Sequence, residues 1–227
     1  MKRIILIAML AFLASCGTNK EAAYLIVDRP INFDAERREL SLDYMRERYN
    51  LHSKDPKINP KMIVLHWTAI PTLEASFNAF DPVKLPGARA DIKKAGDLNV
   101  SAHFLVHRNG EIYRLMPERL MARHVIGLNH VAIGVENVGG TEDPPLTKAQ
   151  IDANIWLVEY LASKYDIDYL IGHYEYTNFE NHPLWKEKDQ AYRTQKTDPG
   201  EDFMTAVRNA TKKFNFKPVP RFKTSEK

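Results

Sequence analysis

The chain has 227 residues, 44% of them hydrophobic and 27% charged, a make-up that excludes a disordered or fibrous protein and suits one globular domain with a sizeable core. Its formal charge is +3, and the basic residues form no clustered stripe, which argues against a nucleic-acid partner. A single cysteine, Cys16, excludes the internal disulfide framework of small secreted domains.

The chain opens MKRIILIAMLAFLASC, with Lys2 and Arg3 ahead of an apolar run from Ile4 to Leu13, then Ala14 and Ser15. The run is too short for a membrane-spanning helix, which needs about 20 apolar residues, and the pattern reads as a signal peptide over residues 1–15. LASC (13–16) resembles the lipobox of bacterial lipoproteins. The resemblance implies that Cys16 is lipidated and begins the mature chain. It also implies a protein anchored to the membrane in the bacterial cell envelope, on the periplasmic face, with Gly17 pointing to the outer membrane. Removal of Lys2 and Arg3 takes Lys and Arg from 32 to 30 against 29 acidic residues, a mature formal charge of +1.

Residues 16–60 read as a tether and amino-terminal extension, with a helix at Asp34–Tyr49 and a turn-rich stretch at 53–60. The main domain spans 61–214. KMIVLHW (61–67) is a buried strand. NVSAHFLVHRNGEIYRLM (99–116) is a hairpin in which Asn109 and Gly110 supply the positive φ angles of a tight turn. VAIGVENVGG (131–140) is a strand ended by paired glycines. Between Thr147 and Tyr165 the apolar positions Ile151, Ile155, Val158, Ala162 and Tyr165 recur at helical spacing and predict one buried face. DYLIGH (168–173) is a strand, residues 201–214 a last helix, and 215–227 a loose basic tail. The order predicts an α/β fold, a mixed central sheet flanked by helices.

Three polar side chains stand where apolar strands end: His66, Glu136 and His173. Sites are commonly built at such ends. Alternation along a strand places Met62, Val64 and His66 on one face, and Ala132, Gly134 and Glu136 on one face. Small residues beside Glu136 predict open space for a ligand. In KTDPG (196–200), Pro199 favours an extended Asp198, so Lys196 and Asp198 point the same way. Taken alone, that pair reads more simply as a surface ion pair worth about 0–1 kcal/mol.

VLHWTA (64–69), the 99–116 hairpin, NHVAIGVENVGG (129–140), LIGH (170–173) and KTDPG (196–200) together resemble the zinc-dependent N-acetylmuramoyl-L-alanine amidases of type 2. That family shares its fold with bacteriophage lysozyme-amidases and peptidoglycan recognition proteins. The resemblance runs in order from about residue 60 to 205. It implies a zinc ion held by His66, His173 and Asp198, with the fourth position open to water. It implies Glu136 as general base and Lys196 as the group that stabilises the developing oxyanion. His103 resembles a residue that the family keeps near the groove to help hold substrate, and His124 is expected as a second groove histidine in contact with substrate. The implied reaction is hydrolysis of the amide between the lactyl group of N-acetylmuramic acid and L-alanine, in peptidoglycan or muropeptides, by a monomer.

Two features depart from the family pattern. The stretch between His173 and Asp198 is long and aromatic and is expected to rim the groove. ARHV (122–125) replaces the Trp-His-Ala-Gly of many relatives. The alternative reading is a peptidoglycan-binding module without catalysis. An HExxH helix and a GxSxG elbow are both missing, which argues against protease or serine-hydrolase chemistry.

Overall fold

The computed structural model describes residues 24–87, 90–141 and 143–221; the leader and Cys16 lie outside the described residues. In chain order it contains β1 (Ile26–Asp28), α1 (Ala35–Tyr49), β2 (Met62–Trp67), α2 (Leu73–Phe80), α3 (Ala90–Lys93), β3 (Phe104–Val106), β4 (Ile112–Arg114), β5 (Ala132–Asn137), α4 (Lys148–Lys164), β6 (Tyr169–Gly172) and α5 (Glu201–Ala210). A 3₁₀ segment, His173–Phe179, follows β6 directly.

The strands form one six-stranded sheet in the order β1-β4-β3-β5-β2-β6. Only β3 and β4 are antiparallel, so the expected mixed sheet is present. Strands β5, β2 and the edge strand β6 run parallel, and their near-continuous apolar runs are buried on both faces, as parallel strands require. On one face Ile63, Leu65, Ile133 and Val135 pack with Leu157, Val158 and Leu161 of α4 and with Phe203, Met204 and Val207 of α5. On the other, Met62, Val64, Ala132 and Ile171 pack with Tyr44, Met45 and Tyr49 of α1 and with residues from long loops. Each such buried aliphatic side chain contributes about 1.5–3 kcal/mol.

The predicted helix at 34–49 is α1, capped by the Asp34 carboxylate, which accepts from the Arg37 N–H at 2.9 Å. The extension is built into the fold: β1 joins the sheet beside β4, and the buried Arg37 guanidinium donates to the carbonyls of Phe80 and Asp81 at the end of α2.

Two local expectations need correction. The hairpin loop has one positive φ, at Gly110 (+91°). Its closing bonds, His107 N–H to Glu111 O and Gly110 N–H to His107 O, both 2.9 Å, make a three-residue loop, in which a single left-handed residue suffices. The buried face of α4 is also rotated from the expected one. It comprises Gln150, Ala153, Asn154, Leu157, Val158 and Leu161, while Ile151, Ile155, Ala162 and Tyr165 are half-buried. Polar residues set this face. The Gln150 amide donates to the carbonyls of Val106 (3.2 Å) and Val138 (2.9 Å), and Asn154 donates to Asn137 Oδ1 at 2.7 Å.

Candidate active site

The parallel register of β5, β2 and β6 creates one row of side chains. His66 on β2 pairs with Glu136 on β5, and Leu65 pairs with Gly172 on β6, so the next residue, His173, falls on the far side of His66. All three emerge at the carboxyl ends of parallel strands, where α/β folds bind ligands. The row opens into a cavity of about 310 Å³, whose wall includes Trp67, Ile70, Phe80, Ile126, Tyr192 and Lys196. Asp198 enters the row from the loop before α5. That loop is tied to the 3₁₀ segment by the bond from Tyr174 N–H to Asp198 O, 3.1 Å.

His66, His173 and Asp198, all buried, form the one group among the described residues able to hold a metal ion. Their facing atoms make a triangle. His66 Nδ1 lies 2.9 Å from His173 Nδ1 and 3.2 Å from Asp198 Oδ2, and His173 Nδ1 lies 3.1 Å from Asp198 Oδ2. Donors about 2.0–2.1 Å from a tetrahedral zinc stand about 3.3 Å apart, so the triangle is slightly tight but of the right shape. Two imidazoles and a carboxylate suit zinc better than a hard oxygen-seeking cation. The residues present fit the metal.

Protonation favours the same outcome. Burial first, then the neighbouring His173, push the His66 imidazole down to about 4 against the pull of Asp198, leaving it neutral near pH 7. Burial pushes the Asp198 carboxyl up, but the adjacent His173 and then the adjacent His66 outweigh it. They hold Asp198 well below the usual carboxylate range.

Glu136 and Lys196 line the same cavity, Glu136 at 9% exposure and Lys196 half-buried. Lys196 and Asp198 therefore share one wall, as their spacing suggests. The aromatic stretch between His173 and Asp198 does more than rim the groove. Tyr176, Phe179 and Tyr192 are buried in the core, and Tyr192 and Thr194 also reach the cavity.

The two substrate-contact expectations are revised. His103 is fully buried and is not part of the cavity wall; its Nδ1 accepts from Gly134 N–H (2.9 Å) and its Nε2 donates to Leu120 O (2.8 Å). It has no ring nitrogen left for substrate and pins β5 to the 120 loop. His124 does line the cavity, but its Nδ1 lies 3.0 Å from His66 Nε2 and its Nε2 3.3 Å from Ala132 O. The small residues of β5 accommodate this ring: a Cβ on Gly134 would sit 2.7 Å from His124 Cγ. The open space expected beside Glu136 is thus filled by a side chain of the protein.

Asn137 escaped the sequence reading. Its amide donates to the His66 carbonyl at 2.9 Å and faces Asn154, fixing the backbone of β2 where the row begins. The available signal was an asparagine in an apolar strand matched by one in an apolar helix.

Residues 56–201 match the family model described as N-acetylmuramoyl-L-alanine amidase, nearly two thirds of the chain. The chain belongs to that amidase family. It is 34% identical over 88 residues to the endolysin of Escherichia phage T7, an alignment covering 37% of this chain and 58% of the endolysin. The endolysin of Enterobacteria phage T3 is 33% identical over the same length. The chain thus spans about 58% of the length of these curated relatives. Among solved structures, the amidase LysC from Clostridium intestinale superposes with a TM-score of 0.51 at 24% identity, over 85% of this chain and 99% of LysC. An AmpD derivative gives 0.51 at 22%, over 82% and 93%. These structural likenesses establish the type 2 amidase fold, in line with the sequence motifs.

Proposed function

We propose that the protein is a zinc-dependent N-acetylmuramoyl-L-alanine amidase that hydrolyses the amide between the lactyl group of N-acetylmuramic acid and L-alanine in peptidoglycan or its muropeptides. The observation that carries this reading is the donor triangle of His66, His173 and Asp198 in one cavity with Glu136 and Lys196. Zinc, when bound, supplies Lewis-acid polarisation of the scissile carbonyl and acidifies water. Glu136, one strand from His66, takes a proton from the attacking water and returns it to the departing amide nitrogen. Lys196 places its ammonium where negative charge develops on the amide oxygen. The burial of His66, His173, Asp198 and Glu136 lowers the local dielectric and so strengthens both electrostatic effects.

Lipidation of Cys16 and residence in the cell envelope complete the proposal, supported by the LASC motif and the leader ahead of it. Incubation of the purified protein with defined muropeptides, with zinc or with chelator, tests the activity. Free stem peptide detected by mass spectrometry only with zinc is the expected result. Tight muropeptide binding without released peptide would instead establish the binding module.

A further inference from the structure

We propose that His124 is the positioning residue of the metal centre: it accepts the Nε2–H of His66 and so holds that imidazole in the tautomer and orientation that present Nδ1 to the ion. The inference rests on the zinc reading of His66, His173 and Asp198 given above.

The Ala132 carbonyl can only accept, so His124 Nε2, 3.3 Å away, carries a hydrogen. Neutral His124 then has a bare Nδ1, and the hydrogen between it and His66 Nε2, 3.0 Å away, must come from His66. With its proton on Nε2, His66 keeps the lone pair of Nδ1, the atom that faces His173 and Asp198. The same assignment follows from the other end of the chain of bonds. A metal takes only an unprotonated ring nitrogen, which puts the His66 hydrogen on Nε2 and makes His124 the acceptor. A ligating histidine whose second nitrogen is unheld loses both tautomer and ring orientation.

The surroundings of His124 suit this task. Its ring stands nearly perpendicular to that of His66, at 87°, with centroids 5.1 Å apart. Gly134 supplies the seat, since any Cβ there would collide with the ring. Asn129 Oδ1 accepts from the backbone N–H of both His124 (2.9 Å) and Val125 (2.8 Å), fixing the loop that carries the ring. The relay therefore ties His66 to β5, the strand that also carries Glu136, and explains why neither nitrogen of His124 is left for substrate.

The test reads the His66 tautomer and the zinc affinity separately on the full-length protein. Long-range ¹H–¹⁵N correlation spectra of the metal-free protein are expected to show His66 protonated on Nε2 in the wild type. They should show a tautomer mixture in His124→Phe, which keeps a flat ring but removes both nitrogens. Zinc affinity, measured by competition with a chromogenic chelator, should fall about 10–100-fold in His124→Phe. His124→Asn, whose Oδ1 stands where Nδ1 was, should recover most of it. Both variants lose the bond to Ala132, so a purely structural role lowers zinc affinity in both alike. An unchanged His66 tautomer in His124→Phe, or equal zinc loss in both variants, overturns the proposal. If the wild type takes up no zinc while the tautomer still depends on His124, the positioning stands and the metal reading falls.

Discussion

The candidate site is assembled from two kinds of backbone, and they differ in what holds them. Glu136, His66 and His173 stand side by side because β5, β2 and β6 are in parallel register. Asp198, Lys196 and His124 come from loops whose positions depend on individual bonds, such as Tyr174 N–H to Asp198 O and His124 N–H to Asn129. The strand half is fixed by the same ladder that builds the core. The loop half is fixed by single contacts, each worth about 0.5–1.5 kcal/mol. This division assigns rigidity to the strand row of Glu136, His66 and His173 and leaves Asp198 and Lys196 on the more adjustable side.

Removal of Asp198 tests that division most severely. Asp198→Ala takes the only carboxylate from the donor triangle, and activity is expected to fall by more than the roughly 10²–10⁴ that lost proton transfer alone costs. Zinc content after dialysis should fall with it. Retention of stoichiometric zinc by this variant would show that the triangle is not the metal site.

Glu136→Gln is expected to separate chemistry from metal binding. The amide is nearly isosteric and leaves the triangle intact, so zinc content should hold while kcat on muropeptides drops by about 10²–10⁴. Lys196→Met should cost somewhat less, about 10²–10³ in kcat, the usual cost of losing one group that stabilises an oxyanion. If Lys196→Met matched Asp198→Ala in losing zinc, Lys196 would be supporting the ligand loop and not the reaction.

The same division governed what could be read from the chain. Alternation along short apolar strands was enough to align Met62, Val64 and His66 on one face and Ala132, Gly134 and Glu136 on another, because a pleated strand offers only two directions. Asp198 and Lys196 became legible only through resemblance to a family, since a loop has no period. The misreadings share a cause as well. Apolar spacing alone predicts the wrong face of α4, because buried Gln150 and Asn154 anchor it through carbonyl and amide partners far away in sequence. For His103 and His124, nothing in the sequence displays which ring nitrogens the backbone already occupies, so a groove role and a structural one look alike.

His103 gives the smallest and most selective test, because it joins the two halves without touching the cavity. Burial pushes its imidazole down to about 4, from about 6.5 in an unfolded chain. Between those values the unfolded chain takes up a proton that the folded protein refuses. The stabilisation is therefore complete above pH 6.5 and is lost as pH falls towards 4, an effect on the order of 2–3 kcal/mol. His66, His124 and His130 are shifted in the same direction, chiefly by burial, so the wild-type slope alone is ambiguous. Comparison with His103→Gln removes that ambiguity. Urea unfolding of the metal-free proteins at pH 7 and pH 4.5 should show the variant weaker at pH 7 and losing less on acidification. Parallel losses in both proteins would mean that His103 is already protonated in the fold, and the bond from Gly134 N–H to its Nδ1 would have to be abandoned.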